Sequence, residues 1–145
     1  MKQIITIILL LVSIGLSAQT KADNIIGIWL TGGKEPAKIQ VYRSGDKYYG
    51  KIVWLKYPEA NGGPRLDHNN PDQNKRNQRI VGLVMLKDFR FDNEEWNDGK
   101  IYDPESGKTY SCKLSLKDSG TLQVRGYIGI SLFGRTETWV RTSLL

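Results

Sequence analysis

The chain has 145 residues, with 21 basic and 15 acidic side chains giving a net charge of +6, and only one cysteine and one histidine. A single cysteine excludes an internal disulfide, and with a single histidine it leaves too few ligands for a zinc centre. The basic residues are scattered and form no run, which argues against a nucleic-acid-binding protein.

The first element in chain order is residues 1–18, MKQIITIILLLVSIGLSA. Lys2 precedes an apolar run from Ile4 to Leu16, and small and polar residues follow. This pattern predicts a secretory signal cut near Ala18. The run is shorter than the roughly 20 residues that cross a bilayer, so the mature protein should carry no membrane span. It should be soluble and either periplasmic or secreted. Cys112 lies far from the signal, so lipid anchoring at a cysteine is not expected.

The remaining chain, residues 24–145, reads as one all-β domain. In "YSCKLSL" Tyr110, Cys112, Leu114 and Leu116 alternate with polar residues, and "TLQVRGYIGI" does the same with Leu122, Val124, Gly126, Ile128 and Ile130. A period of two marks strands with one buried face. The pattern places strands at 25–30, 37–43, 48–55, 79–86, 89–96, 100–103, 109–116 and 121–141, the last interval holding two around Gly134. Short turns join most of them: "SGD" at 44–46, "NDG" at 97–99, "PESG" at 104–107 and "KDSG" at 117–120. Sequential strands with tight turns predict a small antiparallel up-and-down barrel of about eight strands, whose closure removes exposed edges.

One connection is long. Residues 56–78 contain Pro58, Pro64, Pro71 and the Gly62-Gly63 pair, and include "LDHNNPDQNKRNQ". Loops beyond about 15 residues in compact domains are commonly functional or self-packed. A calcium loop of the EF-hand type fails in either register, since the sixth position lacks Gly and the twelfth lacks Glu; no metal site is expected. Two readings remain. Asp67, Asp72, Arg76 and Arg79 pair with one another and tie the loop to the barrel, with Asn70-Pro71-Asp72 making a turn; or an arginine is presented to an anionic ligand.

"DPESGKTY", residues 103–110, contains Gly-Lys-Thr, but Tyr102 stands where a phosphate loop needs its first Gly, and a strand follows instead of a helix. His68 is a conceivable base with no identifiable nucleophile beside it. No catalytic residue and no cofactor are therefore predicted.

"GIW" at 27–29 opens the first strand, and Arg141 lies near the end of the last. In a closed barrel these strands are neighbours, so the arginine can stack on Trp29 beside Gly27 and plug one end. This pattern resembles the lipocalin and calycin superfamily. Over residues 26–141, "GIW", "GKIV", "LDHNNPD", "RNQRIVGLVML", "WNDGKIYDPESGKTY" and "VRGYIGISLFGRTETWVR" resemble the bacterial exported family called domain of unknown function 2147. That resemblance implies export and a calycin-like barrel and brings no established activity.

Together these readings predict a non-catalytic envelope protein that binds a small apolar or amphipathic ligand. Arg76, Arg79 and Arg135, with Asp67 and Asp72, are the candidate ligand-binding residues, while Gly27, Trp29, Arg141 and Asn70 are structural. The alternative is an interaction module with a solid core and exposed aromatics at Trp54, Tyr57 and Trp96; an envelope hydrolase built on His68 or the two aspartates ranks behind both.

Overall fold

The structure, a computed structural model, describes residues 20–130 and 134–145; the expected signal lies outside the described residues. Eight antiparallel strands close into a barrel: β1 (Gly27–Leu30), β2 (Ala37–Ser44), β3 (Lys47–Leu55), β6 (Val84–Asp92), β7 (Glu95–Asp103), β8 (Lys108–Asp118), β9 (Thr121–Tyr127) and β10 (Gly134–Thr142). Each pairs with its neighbour in the chain, and β10 returns to β1 through Trp29 opposite Arg141. Two further short strands, β4 (Glu59–Ala60) and β5 (Gly63–Pro64), form a small hairpin within the long connection.

The strands run longer than the alternation suggests around residue 88. A single strand, β6, crosses the expected break between 79–86 and 89–96, because Asp88 takes a positive φ of 65° and lets the strand bulge without ending. The turn into β7 is Asn93-Glu94, both with positive φ, as tight hairpins between twisted strands require. "NDG" at 97–99 is accordingly no turn. It is a bulge inside β7, with Asp98 at φ 61° and a register shift between Trp96 and Gly99. Gly99 has a second role, since the Phe89 ring lies where a Cβ would stand. Residues 79–83 belong to the long connection, with Ile80 N–H donating to the Arg65 carbonyl and Gly82 N–H to that of Ile52. Ile128 and Ile130 continue the alternation of β9 on paper, yet the strand ends at Tyr127 and both side chains are exposed.

The inward faces fill the barrel unevenly. At one end Trp29, Trp96, Phe89, Leu114 and Leu122 are buried and form a solid core. A short 3-10 turn, η1 (Asp23–Ile25), seals that end. Aromatic polar groups pin the segment around it: Trp96 Nε1 donates to the Ala22 carbonyl at 3.1 Å, Trp29 Nε1 to that of Ile25 at 2.9 Å, and the Tyr48 hydroxyl to Asp23 Oδ1 at 2.7 Å. Burying tryptophan without satisfying its N–H would cost stability, so the plug and the core specify each other.

Arg141 completes the seal. Its guanidinium carbon lies 4.3 Å from the centre of the Trp29 ring, and its nitrogens donate to the carbonyls of Asn24 (2.7 Å), Ile26 (2.9 Å) and Ser119 (2.7 Å). A Cβ on residue 27 would stand 2.6 Å from Arg141 Nη1, and Gly27 has φ +146°. A side chain at 27 would displace the guanidinium. Trp96 is thus a core residue and not an exposed docking aromatic, whereas Trp54 and Tyr57 are exposed.

Candidate functional site

The opposite end of the barrel is open. An up-and-down order sends the connections at 31–36, 56–83, 104–107 and the one after Tyr127 to that end. Between them lies a cavity of about 990 Å³. Its inner wall is apolar: Ala37 and Ile39 from β2, Ile52 and Leu55 from β3, Ile80, Met85, Ile101, Val124 and Trp139. Trp139 and Ile39 are buried where the cavity meets the solid core, so they form its floor. The rim is polar, with Glu35, Arg65, His68, Asn69, Tyr110, Arg135 and Glu137.

Two glycines on the inward faces of the strands differ in what they do. At Gly50, Leu86 Cδ1 would stand 2.8 Å from an added Cβ, so the bare position is filled by packing. Gly126 is different: an added Cβ would meet nothing nearer than 3.6 Å, and its φ is not positive. In register it lies between Arg135 on β10 and Cys112 on β8. Its missing side chain widens the cavity there.

β10 supplies the chemistry of one wall. Alternation places Arg135, Glu137, Trp139 and Arg141 on its inner face, with the first three lining the cavity and the fourth at the sealed end. β1 is only four residues long and pairs with Val140–Thr142 alone, leaving the first half of β10 to β9. Residues 134–138 are all exposed, so the cavity is accessible from that side as well as from the top.

The long connection borders the mouth, and it packs on itself. Asp67 is fully buried; its Oδ1 accepts from the Tyr102 hydroxyl and its Oδ2 from Asn70 Nδ2, both at 2.7 Å. Burial, and then the Asp67 carboxylate to which it donates, raise the Tyr102 pKa well above the ordinary phenol range. Asp72 accepts from Asn74 N–H and caps η2 (Gln73–Lys75). Arg76 Nε donates to the Asn70 carbonyl at 2.8 Å, and Arg79 bridges Leu66 by its backbone. Asp67, Asp72, Arg76 and Arg79 therefore form no ion pair with one another. Neutral donors compensate the buried carboxylate, which leaves the arginines at the surface. Asn69 Nδ2 also donates to the Glu105 carbonyl at 2.7 Å, and Gly107 is bare because the Asn69 carbonyl occupies the place of its Cβ.

Of the five residues predicted to meet a ligand, only Arg135 lines the cavity; Asp67, Asp72, Arg76 and Arg79 stand outside its lining. Glu137, Tyr110 and Gly126 line it and were not singled out, although the period-two pattern of "GRTETWVR" and "YSCKLSL" puts Glu137 and Tyr110 on the inner face. His68 is exposed at the rim. Cys112 is buried in the core, and burial pushes its thiol up to about 12, which makes it a packing group and not a poised nucleophile.

A model of the family described as "Uncharacterized protein conserved in bacteria (DUF2147)" matches residues 27–141. The chain belongs to the DUF2147 family. Among solved structures, this DUF2147 barrel is similar to "Protein HP1028 from the human pathogen Helicobacter pylori", which its title assigns to the lipocalin family. The TM-score is 0.72 and the identity 24%, over 83% of this chain and 84% of that one. At this identity the likeness shows the fold, and the DUF2147 chain is a lipocalin-like barrel. No curated protein matches it.

Proposed function

We propose that this protein is exported by way of its first 18 residues and serves in the bacterial envelope as a non-catalytic binding protein for a small amphipathic ligand. The observation that carries this reading is the open cavity of about 990 Å³, apolar at its floor and polar at its mouth. Binding sites for small molecules commonly fall at or below about this volume and combine apolar walls with a few placed polar groups. The apolar part of the ligand lies against Ile39, Ile52, Val124 and Trp139. An anionic end meets Arg135, the cationic side chain that β10 adds to the cavity lining. Arg76 and Arg79 are left out of this head-group role because they do not line the cavity.

Native mass spectrometry of protein purified from the producing bacterium's own envelope tests the reading. A bound molecule that persists under non-denaturing conditions and leaves on denaturation is expected. The bare polypeptide mass, together with an experimental structure whose interior is filled by side chains, would refute it.

A further inference from the structure

The exposed apolar side chains at the open end are placed on opposite sides of the mouth. Ile128 and Ile130, which follow β9, are 73% and 56% exposed. Across the rim, Trp54 at the end of β3 and Tyr57 just beyond it are exposed too, and three strands lie between β9 and β3 in either direction around the barrel. The turns at the sealed end, Gly45-Asp46, Asn93-Glu94 and Ser119-Gly120, carry no large apolar residue, although Ile26, next to η1, is 40% exposed there.

Charge follows the same division. The open-end connections carry Lys34, Lys56, Arg65, Lys75, Arg76 and Arg79 against the surface carboxylates Glu35, Glu59, Asp72 and Glu105. The sealed-end turns carry Asp46 and Glu94, of which Glu94 pairs with Lys21 at 3.1 Å. At the open end Arg65 pairs with Glu35 at 2.6 Å, which leaves the lysines, Arg76 and Arg79 as the basic excess there. Lysines accompany the exposed rings directly: Lys56 Nζ lies 5.5 Å from the centre of Tyr57, and Lys38 Nζ, which donates to the Ser143 carbonyl at 2.8 Å, lies 5.2 Å from that of Trp54. Tryptophan, tyrosine and lysine together suit the boundary between lipid headgroups and acyl chains, where rings bury their apolar part and ammonium groups meet phosphate. Among the described residues no helix is long and apolar enough to cross a membrane.

We infer that the open end docks on an anionic phospholipid bilayer, with Ile128 and Ile130 entering the headgroup region on one side of the mouth and Trp54 and Tyr57 on the other. The cavity then faces the membrane. Ile128 also borders the cavity, whereas Ile130, Trp54 and Tyr57 lie outside its lining, so the docking does not depend on what the cavity holds.

The test is co-sedimentation of protein purified from the envelope fraction with vesicles of phosphatidylcholine alone or mixed with phosphatidylglycerol. Wild type and an Ile128→Asp/Ile130→Asp variant are prepared identically, so both share one N terminus. Unaltered thermal unfolding shows that the variant is folded, and Lys34→Glu/Lys56→Glu offers a second variant. The expected result is binding that needs phosphatidylglycerol, falls in high salt, and drops more than about tenfold in the isoleucine variant. No vesicle binding by wild type, or equal binding by wild type and folded variants, would overturn the inference. Retention of a ligand by the wild type in native mass spectrometry is read separately, so either conclusion can fail alone.

Discussion

Gly27, Trp29 and Arg141 act as one unit, and each explains the others. The indole supplies a face, the arginine covers it and ties three carbonyls, and the glycine leaves room for the guanidinium. Arginine suits the place because its planar fork stacks and donates in several directions at once, which a lysine ammonium does not. Replacing Arg141 with Ala should lower unfolding free energy by about 2 kcal/mol in urea denaturation, since a partly exposed cation–π contact and charged hydrogen bonds are lost together. Arg141→Lys should recover only part of that, and Gly27→Ala should resemble Arg141→Ala in direction. The three residues were readable as neighbours from barrel closure alone. What the guanidinium donates to was not readable, because its acceptors are backbone carbonyls that sequence patterns do not mark.

Among the elements, the connection from Lys56 to Leu83 shows where pattern reading stops. Its polar composition was legible as a self-packed loop, but charge alone suggested ion pairs among Asp67, Asp72, Arg76 and Arg79. The fold instead buries Asp67 against Tyr102, a residue 35 positions away on β7. Only three-dimensional proximity makes that contact, and it lets neutral donors replace the arginines. Tyr102→Phe should leave one Asp67 oxygen buried without its donor, at a cost of about 1–3 kcal/mol. The loss should be local, appearing as faster hydrogen exchange across residues 66–80 while strands β8 and β9 stay protected. Uniform loss of protection over the whole barrel would mean that the loop and barrel open as one. The displaced breaks near 88 and 97 have a similar origin: Asp88 and Asp98 adopt positive φ as bulges within strands, whereas the same residue types in a sequence suggest turns.

At the scale of the molecule, the barrel is divided between a packed half and a hollow half. Tryptophan and phenylalanine side chains fill the sealed end, while the open end has Ala37, Gly126 and mostly aliphatic side chains on its wall. Strand alternation reveals which residues point inward, and on that basis barrel and core were legible. It does not reveal whether facing side chains meet, since that depends on strand splay, and here β10 leaves β1 after only three paired positions. Gly126 is the position that separates cavity from packing: it tolerates a side chain sterically, and a large one would occupy the space assigned to ligand.

Equilibrium binding of a fluorescent long-chain amphiphile to wild type and Gly126→Leu therefore bears most directly on the account. Wild type should bind one equivalent saturably, and Gly126→Leu, with unchanged thermal unfolding, should bind at least about tenfold more weakly. Saturable binding of equal strength by both proteins, or none by wild type, would contradict a ligand-holding cavity.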